Sequence, residues 1–114
     1  MSIGTLKKIA GPAFIAAAAA DVYTPPAATI YTIIRHIHVA NVTAGAVAFS
    51  MFIGATGGSA GGTELYDELS VAANSEFNGY FQPGIKMLST DFLTALDGSG
   101  ASLVVTVMGE QVVV

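Results

Sequence analysis

From Thr29 the chain reads TIYTIIRHIHVANVT, and no other stretch constrains the fold as much. Side chains alternate between the two faces of a strand. Period two places Ile33, Arg35, Ile37, Val39 and Asn41 on one side, and Ile34, His36, His38 and Ala40 on the other. The reading is a long strand with a mostly apolar face. NVTAG at 41–45 carries turn formers. AVAFSMFIG follows, with Val47, Phe49, Met51 and Ile53 on one face and Ala46, Ala48, Ser50 and Phe52 on the other, so the two runs read as a hairpin.

The same texture continues. TELYDEL at 63–69, SEFNGYFQ at 75–82, IKML at 85–88 and SLVVTVMGEQVVV at 102–114 are β-rich, and AANS, QPG and DGSGAS separate them with turn chemistry. Pro25-Pro26 is a hard break, because proline cannot donate to a ladder. The alanines at 16–20 favour a helix by propensity, but they lie between Gly11-Pro12 and Pro25-Pro26 and read as strand or extended arm. Thr90 to Leu93 could begin one helical turn. These runs predict an all-β chain, a single antiparallel β-sandwich or small barrel. Residues 1–28 would form an N-terminal arm and first strand, and 29–114 the core. Val47, Phe49, Met51 and Ile53 should lie opposite Ile37 and Val39, with Leu103, Val105 and Val107 as the facing layer.

Residues 53–67, IGATGGSAGGTELYD, raise the question of a phosphate-binding loop. Gly57 and Gly62 have the spacing, but Thr63 stands where the phosphate-neutralising lysine must be. A dinucleotide fingerprint needs glycines that open a helix after a strand, and this loop leads into another strand-like run. The glycines read as a strand-to-strand turn that supplies positive φ. His36 and His38 share a strand face and could supply two metal ligands, but no third is visible, so they read as partly exposed polar residues. Arg35, between Ile33 and Ile37, must reach solvent or pair with a carboxylate such as Asp67 or Glu68. The acidic residues Asp21, Glu64, Asp67, Glu68, Glu76, Asp91, Asp97 and Glu110 read as solvated surface. No serine has the G-x-S-x-G context. The expectation is a non-enzyme without catalytic, metal or cofactor site.

Hydrophobic residues make up 53% of the 114-residue chain and charged residues 11%. That excess must be buried somewhere. No apolar run reaches the roughly 18 residues of a membrane-spanning helix, so burial between subunits is expected. With four basic residues and a net charge of −4 the chain is not expected to bind nucleic acid directly. There are no cysteines, and so no disulfides. Lys7-Lys8, IAGPAFIAAAAA and Asp21 have the order of a secretory leader. Pro12 interrupts the apolar run, however, and Ile3, Leu6 and Ile9 read equally well as packing residues, so the segment is expected to be retained. Ile3, Leu6, Ile9, Phe14 and Ile15 exceed what so small a core can enclose. A chain ending in QVVV should pair at an edge or dock into another chain. These five residues and Val112, Val113 and Val114 are the interface candidates.

The segment RHIHVANVTAGAVAFSMFIGATGGSAGGTELYD followed by VAANSEFNGYF resembles a small β-sandwich protein of tailed bacteriophage virions. The pattern is a strand ending in HVAN, a hairpin into FIGA, a glycine-rich turn before TELYD, and AANS. It spans residues 29–82, and the strand at 102–110 is compatible. The alanine-rich arm at 13–20 departs from the more polar openings of such proteins. The resemblance implies a multimeric structural part of the virion, either head decoration (cement) or a neck or tail component. Its partners would be other copies and other virion proteins, the major capsid protein among them, with no membrane involved. It brings no catalytic residues. Two other readings compete: a ligand- or carbohydrate-binding β-sandwich using Tyr66 and Tyr80, and a secreted bacterial β-protein.

Overall fold

The structure is a computed structural model that describes residues 2–3 and 6–113. Among these residues there is no helix. The strands are β1 (Ser2–Ile3), β2 (Lys7–Phe14), β3 (Ala20–Tyr23), β4 (Thr29–Asn41), β5 (Val47–Gly54), β6 (Glu64–Val71), β7 (Glu76–Leu88), β8 (Phe92–Leu96) and β9 (Leu103–Val113). They form two antiparallel sheets. The first has the order β2-β9-β4-β7, with β1 pairing the far end of β9 from β2. The second has the order β3-β8-β5-β6. From β2 onward, successive strands cross from sheet to sheet except at β5–β6, which is the strand order of a jelly-roll sandwich.

The expected hairpin between 29–41 and 46–54 is therefore not formed. β4 and β5 lie in opposite sheets, and the chain between them crosses the gap of about 10 Å that separates stacked sheets. Asn41 holds this corner. It is 2% exposed, its Nδ2 donates to the carbonyls of Gly45 and Val71 (both 2.9 Å), and its Oδ1 accepts from the N–H and hydroxyl of Thr43. The bond to Val71 ties the end of β4 to the end of β6 in the other sheet. Asn41→Ala removes the side-chain donor to the Val71 carbonyl at a buried site, whereas the Gly45 carbonyl keeps the Thr43 hydroxyl, and should cost about 1–3 kcal/mol, read as a lowered urea midpoint at unchanged slope. At another point between the sheets, Gln111 Nε2 donates to the Tyr23 hydroxyl at 2.7 Å, which lies 2.9 Å from Thr32 Oγ1.

The core fills the space between the layers. Ile34, Ile37, Val39, Met87, Leu103, Val105 and Val107 come from the first sheet, and Tyr23, Phe49, Met51, Val71, Leu93 and Ala95 from the second. Leu103, Val105 and Val107 thus lie beside Ile37 and Val39 in one sheet, and all five face Phe49 and Met51 across the core. Val47 and Ile53 pack at the margin of the core.

Three further expectations change. QPG does not separate two strands, since β7 extends from Glu76 to Leu88, with residues 81–84 standing out of register with β4. Thr90 to Leu93 starts no helix: Asp91 Oδ2 accepts from the Leu88 N–H at 2.8 Å to close a turn, and β8 begins at Phe92. Period two also fails within β4. Ile34 pairs with Gly109 and His36 with Met108, so Arg35 is one extra residue, a β-bulge. The bulge moves Arg35 from the face of Ile37 and Val39 to the outer face. This resolves the problem of a guanidinium among apolar neighbours.

Residues 7–23 are integral to the sandwich: β2 pairs β9, β3 pairs β8, and Ile15 between them is 1% exposed. The glycine-rich stretch joins β5 to β6 and folds over the outer face of the second sheet. Thr94 Oγ1 donates to the Gly58 carbonyl at 2.5 Å, and a Cβ at Gly57 would come 3.3 Å from the Phe92 ring. Gly57, Gly58 and Gly62 have positive φ. Gly61 has neither a positive φ nor a neighbour that a Cβ would meet. Gly61→Ala should therefore change stability by less than about 0.5 kcal/mol, and Gly57→Ala should cost about 1 kcal/mol or more, compared by thermal unfolding.

Candidate interaction surface

The bulge at Arg35 faces a larger irregularity in β7, where residues 81–84 stand between the partners of His36 and Ile34. Arg35 Nε donates to Glu110 Oε2 at 2.7 Å, and its Nη1 donates to the Pro83 carbonyl. Its partner is thus Glu110, not Asp67 or Glu68. Leu6, Arg35, Tyr80, Phe81, Gln82 and Glu110 line an open concavity of about 460 Å³.

Beside it lies an ordered polar strip. Beyond the bulge, His36, His38 and Ala40 point outward opposite Tyr80, Asn78 and Glu76. The His36 and Tyr80 rings stack with centroids 4.4 Å apart, and Tyr80 is 74% exposed. His36 Nε2 donates to Asn78 Oδ1, Asn78 Nδ2 to Glu76 Oε1, and His38 Nε2 to Glu76 Oε2. Each imidazole Nε2 therefore has its own partner. Among the described residues no three His, Asp or Glu side chains converge as metal ligands.

The hydrogen bond from His38, followed by that from Asn78, holds the Glu76 carboxyl below its ordinary value. A depressed carboxylate pKa gives a contribution that is present above the ordinary range and lost as pH falls through the lowered value. In an NMR titration Glu76 should titrate below an ordinary glutamate and return towards that value in His38→Ala.

Tyr66, an expected exposed aromatic, is half-buried instead. Its ring meets Phe77 edge-on at 5.1 Å and Phe49 at 5.7 Å, and burial raises its pKa. A Cβ at Gly79 would come 2.2 Å from its hydroxyl, so glycine is what lets the ring lie there. Of the two tyrosines only Tyr80 offers an open ring.

The interface candidates separate by environment. Ile15 and Val112 are buried, at 1% and 2% exposure, so neither offers free surface. Ile9 is half-buried against the core, and Val113 is half-buried at the end of β9. Leu6 and Phe14 are exposed, at 58% and 54%. The side chain of Ile3, and Val114 as a whole, lie outside the described residues. Exposed apolar surface that periodicity did not single out includes Val42 at 56% and Leu88 at 53%.

Five strands form the lateral edges of the sandwich. β1, β2 and β3 border one side. β7 and β6 border the other, in contact through Tyr66 and Phe77. Edge strands present unpaired backbone groups and need protection from indiscriminate pairing. In β2 this comes from Gly11 and Pro12 and from breaks in register, in β6 from Glu64, Asp67 and Glu68 with a register shift, and in β7 from Pro83 and Lys86.

No family model matches the chain, and no curated protein matches it. Solved structures do. One, of Bacillus endospore appendages described as a novel family of disulfide-linked pili, aligns with a TM-score of 0.54 at 18% identity, covering 99% of this chain and 89% of that one. The likeness is one of fold. A second, of infectious bursal disease virus strain Gx, aligns with a TM-score of 0.43 at 10% identity over 96% of this chain and 31% of that one, too low to carry an argument.

Proposed function

We propose that this chain is a non-enzymatic structural subunit that acts by repetition, as a component of a tailed-phage virion, and specifically as a decoration or cement subunit on the capsid. The observation that carries the proposal is the disposition of its apolar surface. After the core is filled, Leu6, Phe14, Val42 and Leu88 remain exposed on the outside of the sandwich. The polar groups of the outer face are meanwhile satisfied by one another and not arranged around a vacant reacting centre. Repeated modest contacts around a symmetric shell gain avidity from their number. The subunit would bind other copies of itself and the major capsid protein.

The pilus structure supports the part of this reading that concerns assembly, since a chain of the same fold and nearly the same extent there belongs to endospore appendages described as disulfide-linked pili. This chain has no cysteine, so its own contacts would not be disulfide-linked. A neck or tail ring is the second reading, because rings and tubes use the same side-by-side repetition. Cryo-electron microscopy of native particles tests both. Density for this chain over the capsid lattice is the expected result. Density confined to the neck or tail would replace the capsid assignment with the second reading, and absence from particles would overturn the virion reading.

A further inference from the structure

Charges on the outer face of the first sheet are engaged within the chain: Arg35 with Glu110, His38 with Glu76, and Lys86 over the Tyr31 ring at 4.6 Å. The lateral edges differ. Lys7 and Lys8 are exposed on β2, and Glu64, Asp67 and Glu68 are exposed on β6. Among the described residues none of the five belongs to an ion pair. Asp67 and Glu68 lie where the β5–β6 register shifts, with Glu68 at a φ of 51° and its N–H bonded to Ser50 Oγ, so both carboxylates belong to a fixed protrusion. On the opposite side Asp21 on β3 and Asp97 beside Ala16 are the acidic neighbours, the latter with one oxygen bonded to the N–H groups of Ser99 and Gly100.

We infer that the basic β2 edge of one copy docks against the acidic β6 edge of the next. The inference rests on the self-association reading above and specifies its geometry. Pairing β2 with β2 sets lysines against lysines, and pairing β6 with β6 sets carboxylates against carboxylates. Only β2 with β6 brings opposite charges together, so repulsion selects against both symmetric dimers. Such a contact is heterologous and builds a ring or an open filament, not a closed pair. The exposed Leu6, at the entry to β2, would be covered in the same contact, and Gly11 and Pro12 limit the contacting segment.

Sedimentation velocity of the full chain in low and high salt, with two charge-reversed variants, tests this. Lys7→Glu with Lys8→Glu, and Asp67→Lys with Glu68→Lys, change exposed side chains, and circular dichroism checks that each variant folds. The wild type should associate, and more weakly as salt screens the charges. Each variant alone should lose at least about tenfold in association constant. An equimolar mixture should regain it, because each acidic edge then meets a basic one. Wild-type association unchanged in both variants would overturn the edge pairing and leave the self-association reading standing. A wild type that stays monomeric at every concentration and salt would overturn both.

Discussion

Phe49→Ala should destabilise the protein by about 3–5 kcal/mol, the range for emptying a large aromatic core site. Phe49 is 1% exposed at the centre of the second sheet, with Tyr66 and Phe77 packed against its ring. Those two rings belong to different sheets, so the cavity would open at the junction of the layers and on the side bounded by β6 and β7. Urea unfolding should show the loss as a lower midpoint. A change under about 1 kcal/mol would mean that the cavity had collapsed or that the residue lies elsewhere.

Ile15→Ala should cost about 2–5 kcal/mol, although the residue sits in a segment with the composition of a leader or an arm. Ile15 is 1% exposed within the main core, and its N–H donates to the Leu103 carbonyl at 2.8 Å. Phe14 beside it is 54% exposed. Phe14→Ala should therefore change monomer stability by less than about 0.5 kcal/mol. Measured side by side, the pair separates a strand-forming segment from a loose arm: nearly equal, small losses would detach residues 14 and 15 from the sandwich.

Much of the β architecture was legible in the residues because local rules generate it. Alternation in β5 and β9 is set by the pleat, which places Phe49 and Met51, or Leu103, Val105 and Val107, on one face whatever the partner strand. The glycine-rich stretch could be read as a strand-to-strand turn because a P-loop without its lysine lacks the charge that phosphate binding needs. It proved to join two consecutive strands that pair with each other, and its contact with Thr94 and Phe92 depends on what lies beneath it.

What tertiary structure alone decided was pairing, register and the fate of charged groups. Period two is blind to a bulge, so Arg35 had to be placed by its neighbours β7 and β9, and its partner Glu110 lies 75 residues away along the chain. A turn-rich linker such as NVTAG closes a hairpin or crosses between sheets with the same residues. Here it crosses, and the bond from Asn41 to the Val71 carbonyl of the opposite layer fastens the crossing. Likewise an apolar residue near the N-terminus carries no local mark of burial. Ile15 is in the core and Phe14 is exposed because successive side chains point to opposite faces and the other sheet covers only one of them, a fact of topology and not of composition.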